Sequence, residues 1–442
     1  MLWSALLLPP PSDDTAPPPI EPATLQALAI WALQFTPRVA LADDAVLMEV
    51  EASLRLFGGK RALRDRVWDE AQELGVGQLA WAPNSLAALA LARAGRENGL
   101  RGPLEALLDA LPMTVLSAVR PHALTLAHIG CRTLGDVRAL PRGGIARRFD
   151  KTLLHALDQA YGLAPEVHEW VQLPETFEAR LELAFRVDEA SALLFGARRL
   201  LLQMCGWLAA RHSGVTAFTL HWAHDVMRSR EAGEGGHLTV GTAEPTRDVE
   251  HLCRLLAEHL AKVELAAPVG DLRLSADTVH RLLETSASLL PDNAVHQGET
   301  LHLVLERLAA RLGPERVLRP VLTEDHRQEW MCRWQAAPLA LPRKTAPSPA
   351  LPQPTFVLPL PLRLAMRGNR PMYQGELQLL AGPQRVEGGW WDRVAGASEE
   401  EATTRHVARD YWVALSALAG VLWVFQTRLD EAPAWYLHGH FA

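Results

Sequence analysis

A run from 2 to 8 (LWSALLL), apolar but for Ser4 and ended by prolines, predicts a short first strand buried on both faces. Residues 24–35 (TLQALAIWALQF) place apolar side chains around most of a helical surface, predicting a buried helix. Residues 45–57 (AVLMEVEASLRLF) alternate as a hairpin does. A helix over 62–74, a short strand over 78–82 and an alanine-rich helix over 85–94 follow, so helices and strands alternate around one sheet. From 104 to 162 the pattern is helical throughout. Within it, 126–137 (LAHIGCRTLGDV) sets a glycine turn between two short helices, with Thr133 as the cap of the second. Beyond it come strand 176–185, helix 189–212 and strand 215–222. After a glycine-rich turn at 233–236, strand 237–240, helix 246–263 and strand 269–274 complete a β-α-β-β-α-β order, which implies a four-stranded sheet with two helices on one face.

Prolines divide the chain. Seven fall within 9–22 and eight within 338–361, and proline removes backbone donors and fixes φ, so both stretches read as extended connections. The 442 residues are 48% hydrophobic and 21% charged, enough apolar material for several packed domains. Cys131, Cys205, Cys253 and Cys332 include no C-x-x-C pair, which speaks against a zinc site or a disulfide framework and for a reducing, cytoplasmic setting. The opening apolar run is too short to span a membrane and lacks a basic leader, so neither export nor a membrane partner is expected. With a formal charge of −7, contact with nucleic acid has to come from local basic patches. One such patch is Arg142, Arg147, Arg148 and Lys151, just after the glycine turn at Gly130. A turn of that kind can offer backbone N–H groups to a phosphate; a purely structural corner is the alternative.

The order of these units resembles that of the Y-family, lesion-bypass DNA polymerases. Residues 46–59, closing on Leu56-Phe57-Gly58-Gly59, resemble the palm hairpin of that superfamily in its ImuB branch. So do 35–39 (FTPRV), 130–136 (GCRTLGD), 382–392 (GPQRVEGGWWD) and the stretch 435–442 (WYLHGHFA). The fold class this implies is α+β: a reduced palm at 1–103 with its fingers largely missing, a helical helix-hairpin-helix thumb at 104–170, and a little-finger-like domain with a trailing helix at 171–335. A proline-rich linker at 336–368 and a small, β-rich, partner-binding region at 369–442 complete it.

Two-metal nucleotidyl transfer needs carboxylates from neighbouring strands to hold two magnesium ions about 3.5–4 Å apart. The first strand has none. The resemblance places an Asp-Glu pair near Asp44-Ala45, where alanine replaces the second acid; Asp43, Glu49 and Glu51 read as polar turn and strand positions, and Asp13 and Asp14 lie among the linker prolines. The family's Asn-Lys helix start becomes Asn84-Ser85, and Arg96 reads as a solvated arginine. No catalytic residue, metal ligand or cofactor is therefore expected.

What the resemblance implies is a catalytically inactive scaffold of damage-induced mutagenesis and translesion synthesis, cytoplasmic and nucleoid-associated. It would join DNA, the sliding clamp, the RecA-related ImuA and an error-prone DnaE-type polymerase. An active polymerase with a divergent metal site and a free-standing DNA-binding protein are the alternatives. Candidate DNA contacts, independent of sequence, are Gly130, Arg132, Thr133, Arg147, Arg148 and Lys151, with Arg180, Arg186, Arg198 and Arg199 on the little-finger-like part. A clamp-binding peptide presents glutamine followed by apolar residues; Gln353, Phe356 and Leu358 are the candidates, with a looser match starting at Gln335. Among the tryptophans near the C-terminus, Trp423 reads as core with Phe425, while Trp390, Trp391, His438 and Phe441 are candidates for partner contact.

Overall fold

A computed structural model of the chain describes residues 1–9, 22–149, 151–225, 233–282, 301–337, 353–394, 403–429 and 433–441. Most of both proline-rich connections, with Asp13 and Asp14, lies outside the described residues. The chain divides into two compact units, Met1–Arg311 and Leu312–Ala442.

The first unit opens with β1 (Trp3–Leu7), α1 (Pro22–Ala32), β2 (Val39–Ala42), β3 (Ala45–Glu49), α2 (Lys60–Glu73), β4 (Gln78–Ala82) and α3 (Ser85–Arg93). The sheet order is β2-β3-β1-β4, which puts β1 in the interior, paired antiparallel on both sides. Period-two geometry explains its apolarity. Trp3, Ala5 and Leu7 enter one core with α3 and the helices that follow, while Leu2 and Leu6 enter another with α1 and α2. The expected hairpin over 45–57 is shorter and displaced. Its strands are β2 and β3, turning at Asp43, and 51–53 is a 3₁₀ turn. The Glu49 carboxylate accepts from the Glu51 N–H (3.1 Å), which bends the chain just where alternation alone would carry the strand onward.

The helical stretch contains α4 (Leu104–Asp109), α5 (Ala123–His128), α6 (Leu134–Ala139), α7 (Arg142–Arg148) and α8 (Lys151–Ala160). Leu126, Leu134, Val137, Ile145, Leu153 and Leu157 bind these short helices into the core beneath α3. Next come β5 (Glu178–Val187), α9 (Leu193–Ala210), β6 (Ser213–His224), β7 (Gly235–Thr246), α10 (Val249–Leu260), β8 (Val269–Arg281) and α11 (Leu301–Leu312). The sheet order β5-β8-β6-β7 is antiparallel throughout, and α9 and α10 share its core, as the β-α-β-β-α-β pattern predicts. A buried His251–Glu306 pair (2.7 Å) ties α10 to α11.

The second unit holds the hairpin β9 (Leu318–Leu322) and β10 (Cys332–Ala336), then β11 (Phe356–Arg363), β12 (Ala365–Arg367), β13 (Arg370–Met372), β14 (Gln378–Gly388), β15 (Arg393–Val394), β16 (Thr403–Thr404), β17 (Val407–Ser416), β18 (Gly420–Thr427) and β19 (Trp435–His440). Five strands form an antiparallel sheet in the order β11-β19-β18-β17-β14. Two expectations change here. The β9–β10 hairpin belongs with this unit rather than with the little-finger-like part. The stretch 356–363, read as linker, is a strand. Its prolines misled the reading: Pro359 and Pro361 sit on an edge strand, across a register shift in its pairing, where a missing N–H costs nothing.

Candidate nucleic-acid interface

The acidic side chains of the palm-like sheet are held by the chain's own arginines. Asp43 and Asp44, at the β2–β3 turn, both bond the guanidinium of Arg93, the last residue of α3. Arg93 is itself nearly buried and is fixed by the Val115 carbonyl and the Ser117 hydroxyl, both at 2.8 Å. Burial works against ionisation of Asp43, but the Ser117 hydroxyl and the Arg93 guanidinium outweigh it and hold its pKa below the ordinary value. Glu49 is buried on β3 and pairs with Arg38 (3.0 Å). On the neighbouring strand β1, Ser4 is buried, and its hydroxyl has no hydrogen-bond partner among the described residues.

The start of α3 is occupied in the same way. Asn84 caps the helix, its Oδ1 accepting from the Ala87 N–H (2.8 Å). The first free N–H groups, of Ser85 and Leu86, donate to the Glu166 carboxylate at 3.0 and 2.9 Å, and the Ser85 hydroxyl donates to it at 2.8 Å. A helix N-terminus favours an anion, and here an internal carboxylate supplies it. Burial opposes the charge of Glu166, yet these donors and His168 keep its pKa low. The segment carrying Glu166 also lies on the sheet, through stacking of Trp170 on Trp3 and a Val171 N–H to Val39 carbonyl bond (2.8 Å). Sequence reasoning missed Glu166, Arg93 and Ser117. Only Arg93, a lone cation ending an alanine-rich helix, carried a signal.

The helix-hairpin-helix is present, with one correction. Gly130 turns at φ +94° between α5 and α6, and Thr133 and Asp136 form a reciprocal capping box. The turn does not, however, leave its N–H groups open to a phosphate. Those of Gly130 and Cys131 bond the Ala127 and Leu126 carbonyls, and those of Arg132 and Thr133 bond the Asp136 carboxylate. These two backbone donors, followed by the Thr133 hydroxyl, hold the Asp136 pKa low. The turn's backbone therefore has no free N–H among these four to offer a phosphate, and only side chains are left to meet one. Arg142 is engaged by both oxygens of Asp158 (2.7 and 2.6 Å), whereas exposed Arg132, Arg147, Arg148 and Lys151 form no ion pair among the described residues.

The arginines of the little-finger-like part are committed elsewhere. Arg180 bonds Asp271 (2.8 Å) and Arg186 pairs with Asp225 (2.6 Å) across the open sheet face. Arg198 bridges Glu73 and Glu250, each at 2.6 Å, and Arg199 donates to the Leu74 carbonyl (2.7 Å). Both lie on α9, whose Leu202 enters the core of α1 and α2. They fasten this part to the palm-like sheet and are withdrawn from the DNA-contact candidates.

No family model matches the chain. Two curated proteins named Protein ImuB, from two strains of Caulobacter vibrioides, are each 29% identical to it across 96% of this chain and 94% of their own. Its likeness is to ImuB. Solved structures similar to this ImuB-like chain include a Dbh ternary complex (12% identity, 59% of this chain and 78% of that one, TM-score 0.28) and a DinB family error-prone DNA polymerase from Sulfolobus solfataricus (12%, 58% and 78%, TM-score 0.29). Likeness at that level adds nothing to the strand orders above.

In the second unit of the ImuB-like chain, the candidate residues part company. Trp390 and Trp391 are exposed and perpendicular, their ring centroids 4.4 Å apart. His438 is buried on β19, its Nδ1 2.7 Å from the Tyr411 hydroxyl and its ring stacked on Trp423, so it is a core residue and not a partner contact. Phe441 packs half-buried on the same Tyr411–Trp423–Phe425 cluster. Gln353 and Phe356 are exposed, but Phe356 and Val357 pair with His440 and Gly439 and Leu358 turns toward the core, so this is the start of an edge strand and not a loose peptide. Gln335 lies on β10. No helix among the described residues is long and apolar enough to cross a membrane.

Proposed function

We propose that this chain is a non-catalytic relative of the Y-family polymerases that works as a scaffold in damage-induced mutagenesis and translesion synthesis. The observation that carries the reading is the Arg93 clamp on Asp43 and Asp44, taken with a first strand that offers no acid. A magnesium ion placed at that turn would have to displace a guanidinium that is buried and anchored at two further points. Displacing it would leave the charge of a nearly buried guanidinium without its carboxylate partners, which opposes metal binding at the turn. The Glu166 carboxylate on the start of α3 supports the same reading, because it would repel a phosphate there.

In this reading Arg132, Arg147, Arg148 and Lys151 hold DNA without regard to sequence, and Gln353 with Phe356 at the start of β11 meets the sliding clamp. The second unit receives the RecA-related ImuA-like protein and the error-prone DnaE-type polymerase, in the cytoplasm at the nucleoid. Holding these together makes lesion-site encounters intramolecular, which raises effective concentration without new chemistry. Co-purification of the full chain and of a chain ending near residue 311, at the boundary of the second unit, tests the scaffold. The full chain should retain the ImuA-like and polymerase partners, and the shortened one should lose them while still binding DNA. Equal retention by both contradicts it.

A further inference from the structure

We propose that the second unit carries a platform for single-stranded DNA, formed by Trp390, Trp391 and Trp330 with the guanidinium of Arg405. The proposal goes beyond the scaffold reading and does not rest on it. Trp390 and Trp391 are 60% and 61% exposed on the turn after β14, and Trp330, on the loop between β9 and β10, is 40% exposed. Arg405 lies 4.2 Å from the centre of the Trp330 ring.

Exposed indoles on a mobile loop would mean little, but these are held. Arg327, its side chain 4% exposed, bonds Asp325 (2.8 Å), Asp392 (3.0 Å) and the Arg405 carbonyl (2.8 Å), joining the Trp330 loop, the Trp390–Trp391 turn and the connection between β16 and β17 at one point. Gly389 enters that turn at φ +85°, and a Cβ there would lie 2.3 Å from the Arg327 Nη1, so only glycine lets the turn close on its anchor.

The occupant follows from the chemistry left over. Arg327 bonds both Asp325 and Asp392 and offsets one of their two charges, and Glu387 faces His406 (3.8 Å). Among the described residues no carboxylate pairs with Arg405 or with exposed Arg393. Exposed Trp390 and Trp391, beside Arg393 and the Arg405 guanidinium on Trp330, suit a strand whose bases stack and whose phosphates are anionic. Duplex DNA keeps its bases within its own stack and cannot use the rings. Tryptophan and arginine also anchor protein interfaces, and a protein partner is the outcome that the test below separates from single-stranded DNA.

The test uses the full-length protein with a short oligothymidine carrying 5-iododeoxyuridine, irradiated and mapped by peptide mass spectrometry, together with anisotropy titrations of single-stranded and duplex DNA. Crosslinks should fall on Trp390, Trp391 or Trp330. Trp390→Ala with Trp391→Ala should weaken single-strand binding roughly tenfold or more, while the Phe-for-Trp pair keeps most of it and duplex binding is unchanged. Arg405→Gln should weaken it less and flatten its salt dependence. Crosslinks confined to residues 122–151, or a double alanine variant with unaltered single-strand affinity, overturn the proposal. So does a double variant that loses a protein partner and nothing else.

Discussion

Arg93 decides what the two aspartates of the β2–β3 turn can do. Either carboxylate read alone is a candidate metal ligand, and only the partner reaching them from the end of α3 shows that their charge is already answered. A second residue of this kind is His438. Burial among Tyr411, Trp423 and Phe425 drives its pKa down from 6.5 to about 4, so the folded second unit holds it neutral, with Tyr411 as its hydrogen-bond partner. The unfolded chain takes up the proton below about pH 6.5 and the folded chain resists until about 4. The contribution is therefore complete above the unfolded value and is lost as pH falls through the window between the two, on the order of 2–3 kcal/mol. Thermal melting of the second unit's transition from pH 7.5 to 4.5 should show this decline, and His438→Gln should flatten it. An identical decline in the variant would place the sensitivity elsewhere.

At the scale of elements, the hairpin from α5 to α8 makes the most direct prediction. With its turn N–H groups bonded internally, its grip on DNA depends on side chains, and each phosphate contact adds about 0.9 to the slope of log affinity against log salt. Arg147→Ala, Arg148→Ala and Lys151→Ala together should weaken duplex binding uniformly across sequences and lower that slope by about 2–3 units. An unchanged slope would show that these side chains do not meet phosphates. Most elements of the first unit were legible from periodicity: β4 coincides with its predicted span, and the β-α-β-β-α-β order was read correctly. Where the reading failed, a local rule was overridden by a distant contact. The hairpin expected over 45–57 keeps only one strand there, β3, because the Glu49 carboxylate turns back on the chain, and β11 hides among prolines that its edge position in the sheet makes tolerable. Nor did the sequence show the internal partners of Arg198 and Arg199, since Glu73, Leu74 and Glu250 come to them from elsewhere in the fold.

At the scale of the whole molecule, the acids of the β2–β3 turn and the start of α3 are engaged by this chain's own groups: an arginine on the acids, a carboxylate on the helix start. In the proposed reading, these contacts keep the fold while occupying the groups that two-metal catalysis would need. That pairing was not visible in the sequence, which showed only that acids were scarce on the first strand. The clamp contact belongs at this scale too: Gln353→Ala with Phe356→Ala should abolish capture by the sliding clamp and leave DNA binding intact, and capture at the parental level would remove those residues from the account. The most direct measurement is primer extension by the purified full-length protein with magnesium and all four nucleotides. The account predicts no incorporation above background at any enzyme concentration. Robust, magnesium-dependent extension that Asp44→Ala abolishes would contradict it.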